Sequence, residues 1–278
     1  MSSSVEEPID LSVGNGDKIR VQGVCKSFAS PDRTVDVLDG IDLTVRDGEF
    51  VSIIGPSGCG KSTLFNVLAG LELPDTGSVT VHGSEATGDT EHFAYMPQKD
   101  LLFPWLKVID NAALGLRVQG QSRKAARAQA AELFPTFGLS GFEDVWPSQL
   151  SGGMRQRVAL LRTVVQHRSV LLLDEPFGAL DSLTRTEMQM WLTSVWEKYH
   201  WTVVLITHDI REAVFLSDRV YALTARPGRV ASEHVIDLPR PRTPDMFADP
   251  RAAAVEVELL SALGADKPMA PDPVTVSP

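Results

Sequence analysis

The chain has 278 residues, 43% of them hydrophobic and 22% charged, an ordinary globular composition with enough length to bury a substantial core. Its formal net charge of −10 argues against a general nucleic-acid binder and against electrostatic adhesion to anionic lipid. Two cysteines, Cys25 and Cys59, cannot build a disulfide framework or a metal cluster, and no apolar run approaches the roughly 20 residues of a membrane span.

Residues 1–17 are polar and glycine-bearing. They lack the basic start and apolar core of a signal peptide and read as a disordered lead to a cytoplasmic protein. Lys18–Val24 and Ile41–Val45 alternate as half-buried strands. Phe28 falls between them, in a loop with Ser, Pro and Asp. It reads either as a core ring beneath a turn or as a ring on which an adenine stacks. Phe50–Ile54 is a continuous apolar strand, followed by Gly55, Pro56, Ser57, Gly58, Cys59, Gly60, Lys61, Ser62 and Thr63 at the head of a helix. Residues 55–62 fit G-x-x-x-x-G-K-[ST] in the strand-before, helix-after setting that the motif requires. Glycines let successive backbone N–H groups converge on phosphate oxygens, and the helix N-terminus adds the positive end of its dipole. Lys61 brings a mobile cation to the β- and γ-phosphates, and the Ser62 hydroxyl can coordinate Mg²⁺. The chain is expected to bind a nucleoside triphosphate.

Gly70 stops that helix, and Ser78–His82 and His92–Met96 read as strands. Gln98 follows, by itself no more than a polar residue at a strand end. Leu101, Leu102, Phe103 and Trp105 form an apolar cluster around Pro104, either a satellite core or an exposed docking patch. Lys107–Val118, Ser122–Gly138 and Met154–Val165 carry helical spacing, so about 97–166 forms a mainly helical insertion. Val170–Leu173 is a strand that ends in Asp174 and Glu175. An acidic strand end downstream of a phosphate loop places a carboxylate beside the Mg²⁺. A second carboxylate there can deprotonate a water aimed at the γ-phosphate, and with Asp and Glu together at this strand end a structural salt bridge is the weaker reading. Leu183–Tyr199 is a helix and Thr202–Ile206 a strand. His208, just past that strand, is either a capping histidine or a group reaching the γ-phosphate. Ile210–Ser217 is a short helix, Arg219–Leu223 and Val230–Ile236 pair about Pro227-Gly228, and Arg251–Leu263 is one amphipathic helix before a loose, proline-rich tail.

LSGG at 150–153, joined to the loop at 55–62 and to LLLDEP at 171–176, makes the chain resemble the nucleotide-binding subunits of ABC transporters. The resemblance covers roughly residues 18–240 and implies an α/β fold: a P-loop NTPase core with an antiparallel β subdomain and an inserted helical subdomain. A C-terminal extension, 241–278, follows. It implies ATP and Mg²⁺ as ligands, with Ser62, Gln98 and Asp174 at the metal and Glu175, His208 and Gln98 as the catalytic set. Phe28 matches the aromatic that stacks on adenine. Ser151, Gly152, Gly153 and Asp181 match groups that reach the nucleotide of a second subunit, either another copy or a paralogous ATPase. Leu101, Leu102, Phe103 and Trp105 lie where a transmembrane permease subunit docks, which implies a peripheral place on the cytoplasmic face of the cell membrane. A solute-binding protein is an indirect partner, and nucleic acid is not one.

PQKDLLFPWLKVIDNAALGL and EAVFLSDRVYALTARPGRV are similar to importers for nitrate, taurine, aliphatic sulfonates and bicarbonate, with pyrimidine-precursor importers related. The helix after LSGG departs from the usual alanine-rich pattern, reading VALLRTVV. Soluble ABC-type ATPases of DNA repair or the ribosome are the alternative. Those usually carry a long coiled coil, a zinc module or two cassettes, and this acidic chain shows none. An ordinary P-loop kinase would leave LSGG and His208 unexplained.

Overall fold

A computed structural model describes residues 17–30 and 33–264. The expected loose tail and all of the lead except Asp17 lie outside them. Strands β1 (Asp17–Ser30) and β2 (Arg33–Arg46) pair antiparallel, with Phe28 opposite Val35. Phe28 is therefore a strand residue and not a loop residue. The period-2 pattern stops being legible at Val24 because the register shifts between Val21 and Lys26, around Gly23 at φ 57°. Then follow β3 (Phe50–Ile54), α1 (Lys61–Leu68), β4 (Thr76–Val81), the two-residue β5 (Ser84–Glu85) and β6 (Phe93–Met96). Strands β1, β2, β4 and β5 form one sheet in the order β2-β1-β4-β5.

The stretch expected as one helix from Lys107 is two, α2 (Val108–Ala112) and α3 (Leu114–Val118). Helix α4 (Arg123–Leu133) starts at the expected cap, the Ser122 hydroxyl accepting the Ala125 N–H at 3.2 Å. It stops short of Gly138, two residues before Pro135, whose ring cannot continue a helix. Next come α5 (Gly152–Val164), β7 (Val170–Asp174), α6 (Ser182–Tyr199), β8 (Thr202–Ile206), α7 (Ile210–Leu216), β9 (Arg219–Leu223), β10 (Val230–Val235) and α8 (Pro250–Ala262).

The second sheet runs β10-β9-β3-β8-β7-β6, parallel from β9 to β6. Every residue of β3, β7 and β8 is buried, as a parallel sheet covered on both faces requires. Alternate side chains feed two cores. Leu171, Leu173, Val203 and Leu205 pack with the helical segment, and Val170, Leu172, Val204 and Ile206 pack with α1 and the antiparallel sheet. This topology decides the site. Four neighbouring parallel strands end on one edge, delivering the loop after Ile54, His208 after Ile206, Glu175 after Asp174 and Gln98 after Met96. Ligands of open parallel sheets bind at such carboxyl ends.

Beyond Pro239 the chain returns to the sheet through Arg242, which is buried and donates to the carbonyls of Val214 at 2.9 Å, Ser217 at 2.6 Å and Ile236 at 3.2 Å. The first two bonds cap the C-terminal end of α7, and the third ties it to the chain after β10. Among the described residues no helix is long and apolar enough to cross a membrane.

Candidate nucleotide site

The loop between β3 and α1 wraps a cleft of about 490 Å³ lined by Phe28, Val35, Val37, Ser57, Gly58, Gly60, Lys61, Ser62, Thr63, Glu175 and Arg226. Two glycines in this loop are forced. Gly60 holds φ at 111°, and a Cβ there would stand 2.8 Å from the Val37 carbonyl oxygen. Gly55 has room for no side chain beside Cys59 Sγ, at 2.8 Å. Pro56 fills the second position of the loop, and the buried Cys59 packs inward beneath it. Lys61 donates from Nζ to the Gly55 carbonyl at 2.7 Å and the Pro56 carbonyl at 3.1 Å. The ammonium is thus held folded over its own loop by two neutral acceptors, which anionic phosphate oxygens would outcompete. Phe28, 43% exposed, presents its ring to this cleft, which fits stacking on a planar base and not a core ring beneath a turn.

Glu175 lines the cleft, and Asp174, the residue before it, is buried. Burial raises the Asp174 pKa, and hydrogen bonds from Tyr95 and Ser62 work in the other direction. The Tyr95 hydroxyl donates to Asp174 Oδ2 at 3.2 Å, and its own pKa is raised by burial and the Asp174 charge, so it remains a donor. Glu175 sits at φ 43°, an uncommon backbone conformation for a non-glycine residue, held by its N–H on the Ile206 carbonyl at 2.9 Å. Its Oε2 accepts from Gln98 Nε2 at 2.9 Å and faces His208 Nδ1 at 3.2 Å. Gln98, hydrogen-bonded to Glu175, and His208, at 3.2 Å from the same carboxylate oxygen, therefore gather on the residue that shares the cleft with Lys61 and Ser62, although they stand far apart in sequence. Among the described residues no cluster of three His, Cys, Asp or Glu side chains could hold an ion by itself. Ser62, the buried Asp174 carboxyl and the Gln98 amide instead offer the hard oxygen donors suited to a divalent cation that shares phosphate oxygens.

Ser151, Gly152, Gly153 and Asp181 are not in this cleft. The Ser151 hydroxyl caps α5 by accepting the Met154 N–H at 3.2 Å, and Asp181 caps α6 through the Thr184 N–H at 3.0 Å. Gly153 lies where the two helices meet, since a Cβ would approach Thr184 Cγ2 to 3.0 Å. Ser151 is exposed and Gly152 half-buried, and neither lines the Lys61 cleft.

The apolar cluster before α2 is split. Leu101, Phe103 and Trp105 are exposed, with the Phe103 and Trp105 rings stacked at 5.1 Å, whereas Leu102 is buried at 8%. Leu102 is therefore corrected from surface to core: the Leu101 backbone at φ 44° turns its neighbour inward. Asn111 fixes the loop by accepting the Phe103 N–H at 2.7 Å and donating to the Phe103 and Leu106 carbonyls at 3.1 Å each. Sequence reading does not find Tyr95, which holds Asp174, or Arg226, which with Val35 and Val37 lines the cleft. Arg226 donates from Nε to the Gly58 carbonyl at 2.9 Å across 168 residues of chain. A sequence-local pattern carries no trace of that contact. Tyr95 could have been found from its position in β6 beside β7, had that pairing been known.

A family model described as "ABC transporter" matches residues 38–178. A relative named aliphatic sulfonates import ATP-binding protein SsuB 3, from Pseudomonas savastanoi pv. phaseolicola, is 41% identical over 278 residues, covering all of this chain and 97% of its own. The formylaminopyrimidine import ATP-binding protein ThiZ of Halalkalibacterium halodurans is 48% identical over 69% of this chain and 74% of its own. A solved post-hydrolysis dimer of an ATP-binding cassette bound to ADP and Pi aligns with a TM-score of 0.69 at 30% identity, covering 79% of this chain and 99% of that one. Fold, cleft and these likenesses agree: the chain belongs to the ABC transporter family, as one of its ATP-hydrolysing, ATP-binding subunits.

Proposed function

We propose that this chain energises a multi-subunit importer of a small solute, two copies closing head to tail on two ATP molecules. The single observation that carries the reading is the Gln98–Glu175–His208 set beside the phosphate loop, with contacts of 2.9 and 3.2 Å. Phe28 stacks the adenine, the amides of 57–63 and Lys61 hold the phosphates, and Glu175 takes the proton of the attacking water. His208 orients Glu175 and reaches the γ-phosphate. Ser62, Asp174 and Gln98 would hold Mg²⁺, which when bound would neutralise charge on the β- and γ-phosphate oxygens. The names of the relatives, which are importers of sulfonates and of a formylaminopyrimidine, support import as the direction and a small polar solute as the cargo.

The cleft of one chain holds no group from Ser151, Gly152, Gly153 or Asp181. A second copy supplies them, with the first turn of α5 offering N–H groups and a positive dipole end to the γ-phosphate. The dimeric solved cassettes support this arrangement. ATP then acts as the ligand that favours the closed dimer, and its hydrolysis releases it. Leu101, Phe103 and Trp105 form the contact for a transmembrane permease subunit, which places the chain peripherally on the cytoplasmic face of the membrane. A solute-binding protein is the indirect partner. Residues 18–240 form the ATPase domain, with 97–166 as its helical part.

The test is Glu175→Gln. It keeps the amide geometry around Gln98 and removes the base, so ATP binding persists while turnover falls by about 10²–10⁴-fold. Turnover near the parent rate would overturn the assignment of Glu175.

A further inference from the structure

Gln156 stands out because nothing in the catalytic set uses it, yet it faces that set. It lies on α5, 5% exposed, and its Oε1 accepts no hydrogen bond from the protein. Buried acceptors are almost always paired, and an unmet one has to be explained by what it faces. Gln156 faces a cleft of about 540 Å³, distinct from the nucleotide cleft, whose other walls are Gln98, Lys99, Asp100, Leu101, Gly178 and Ala179.

Each wall leads to a different part of the site. At one end of the 98–101 segment, the Gln98 amide rests on Glu175 at 2.9 Å. At the other end α5 grips the segment. Arg155 Nε reaches Asp100 Oδ2 at 3.2 Å, and Arg162 donates to the Asp100 carbonyl at 2.6 Å and the Leu101 carbonyl at 2.8 Å. The Gly178–Ala179 wall belongs to the turn that joins Glu175 to Asp181, braced by the Gly178 N–H on the Glu175 carbonyl at 3.1 Å. The cleft is thus the gap between α5 and the Glu175–Asp181 turn, walled by 98–101, with the head of α5 meeting the turn where Gly152 approaches Leu180. A nucleotide that drew Gln98 onto itself would carry the middle of α5 with it through Arg155 and Arg162, and would narrow the gap that Gln156 faces.

We infer that Gln156 is a positioning residue, whose carboxamide oxygen takes the Ala179 main-chain N–H when the cleft narrows. The bond would lock α5, with Ser151 and Gly153 at its head, to the turn carrying Glu175 and Asp181. It acts on the rate of the chemical step and not on the capture of ATP, because it touches neither base nor phosphates. The inference rests on the ATPase reading of the site given above.

Full-length wild type, Gln156→Met and Gln156→Glu are compared for thermal midpoint, affinity for a fluorescent ATP analogue, kcat and KM. Met keeps the length and fills the space without an acceptor. Glu restores an acceptor of the same shape. Removing an unmet buried acceptor should leave the Gln156→Met thermal midpoint equal to or above that of wild type. Its kcat should fall about tenfold with KM and analogue affinity within about twofold, and Gln156→Glu should recover at least about half of the lost kcat. Parental kcat in Gln156→Met overturns the inference. So does a kcat loss accompanied by an equal loss of analogue affinity, or one that Gln156→Glu does not recover. An inactive wild type would instead overturn the reading of the site itself, and this inference with it.

Discussion

Replacing Glu212 by Gln removes a buried carboxyl that stands behind the His208 loop. Glu212 lies in the first turn of α7, and its Oε2 accepts from Gln189 Nε2 at 3.0 Å. Burial pushes its pKa up from 4.5 to about 7, against opposing hydrogen bonds from Thr207 and Gln189. The folded chain therefore keeps a proton that the unfolded chain releases between pH 4.5 and about 7. That contribution to stability is complete below the unfolded value of 4.5 and is lost as pH rises through about 7. At 1.36 kcal/mol per pH unit, the full span is about 3 kcal/mol, of which about 2.5 kcal/mol falls between pH 5 and 8. A Gln side chain has the same shape and still offers Gln189 an acceptor, but it does not titrate. Urea denaturation of wild type and Glu212→Gln from pH 5 to 8 gives the difference in unfolding free energy directly. That difference should move in the variant's favour by about 2.5 kcal/mol with rising pH. Subtracting the two curves cancels groups common to both, including His82, whose imidazole pKa burial lowers. A difference flat to within about 0.5 kcal/mol would refute the buried proton.

Phe28→Ala removes the ring from the nucleotide cleft. Stacking on a base contributes about 1–3 kcal/mol, so ATP affinity should fall by about 5- to 150-fold in a fluorescent-nucleotide titration while Phe28→Trp stays near wild type. Unchanged affinity in Phe28→Ala would return Phe28 to a packing role. Trp105→Ser replaces a ring that is 68% exposed, so stability should stay within about 0.5 kcal/mol. Capture of the variant by a co-expressed permease subunit should fall sharply, and undiminished co-purification would count against the docking patch.

The parts of the site that were legible in the sequence are those built locally. The phosphate loop announces itself because glycines, Lys61 and Ser62 must be contiguous to converge on one ligand. Asp174 and Glu175 are visible because an apolar strand has to stop somewhere, and stops here in acid. Gln98 and His208 were weak alone, since each is an ordinary polar residue after a strand. What makes them a set is the order β3-β8-β7-β6, which is a long-range property that no window of sequence contains. Phe28 does not read as a strand residue because bulges near Gly23 break the alternation that marks a strand. Leu102 is indistinguishable from its exposed neighbours in the sequence, because composition does not tell which side of an irregular loop faces inward. Tyr95 and Arg226 were missed for the same reason as each other: their partners, Asp174 and Gly58, are remote along the chain.

The central claim is that each ATP is completed by Ser151 of another copy. Two inactive proteins test it, Lys61→Ala, which cannot hold the phosphates, and Ser151→Arg, which blocks the head of α5. Mixed in equal amounts, half of the dimers carry one of each, and each such dimer holds one site with an intact Lys61 and an intact Ser151. The mixture should hydrolyse ATP at roughly a quarter of the wild-type rate, as expected for random pairing across a two-fold interface. A mixture no more active than its separate components would contradict the account.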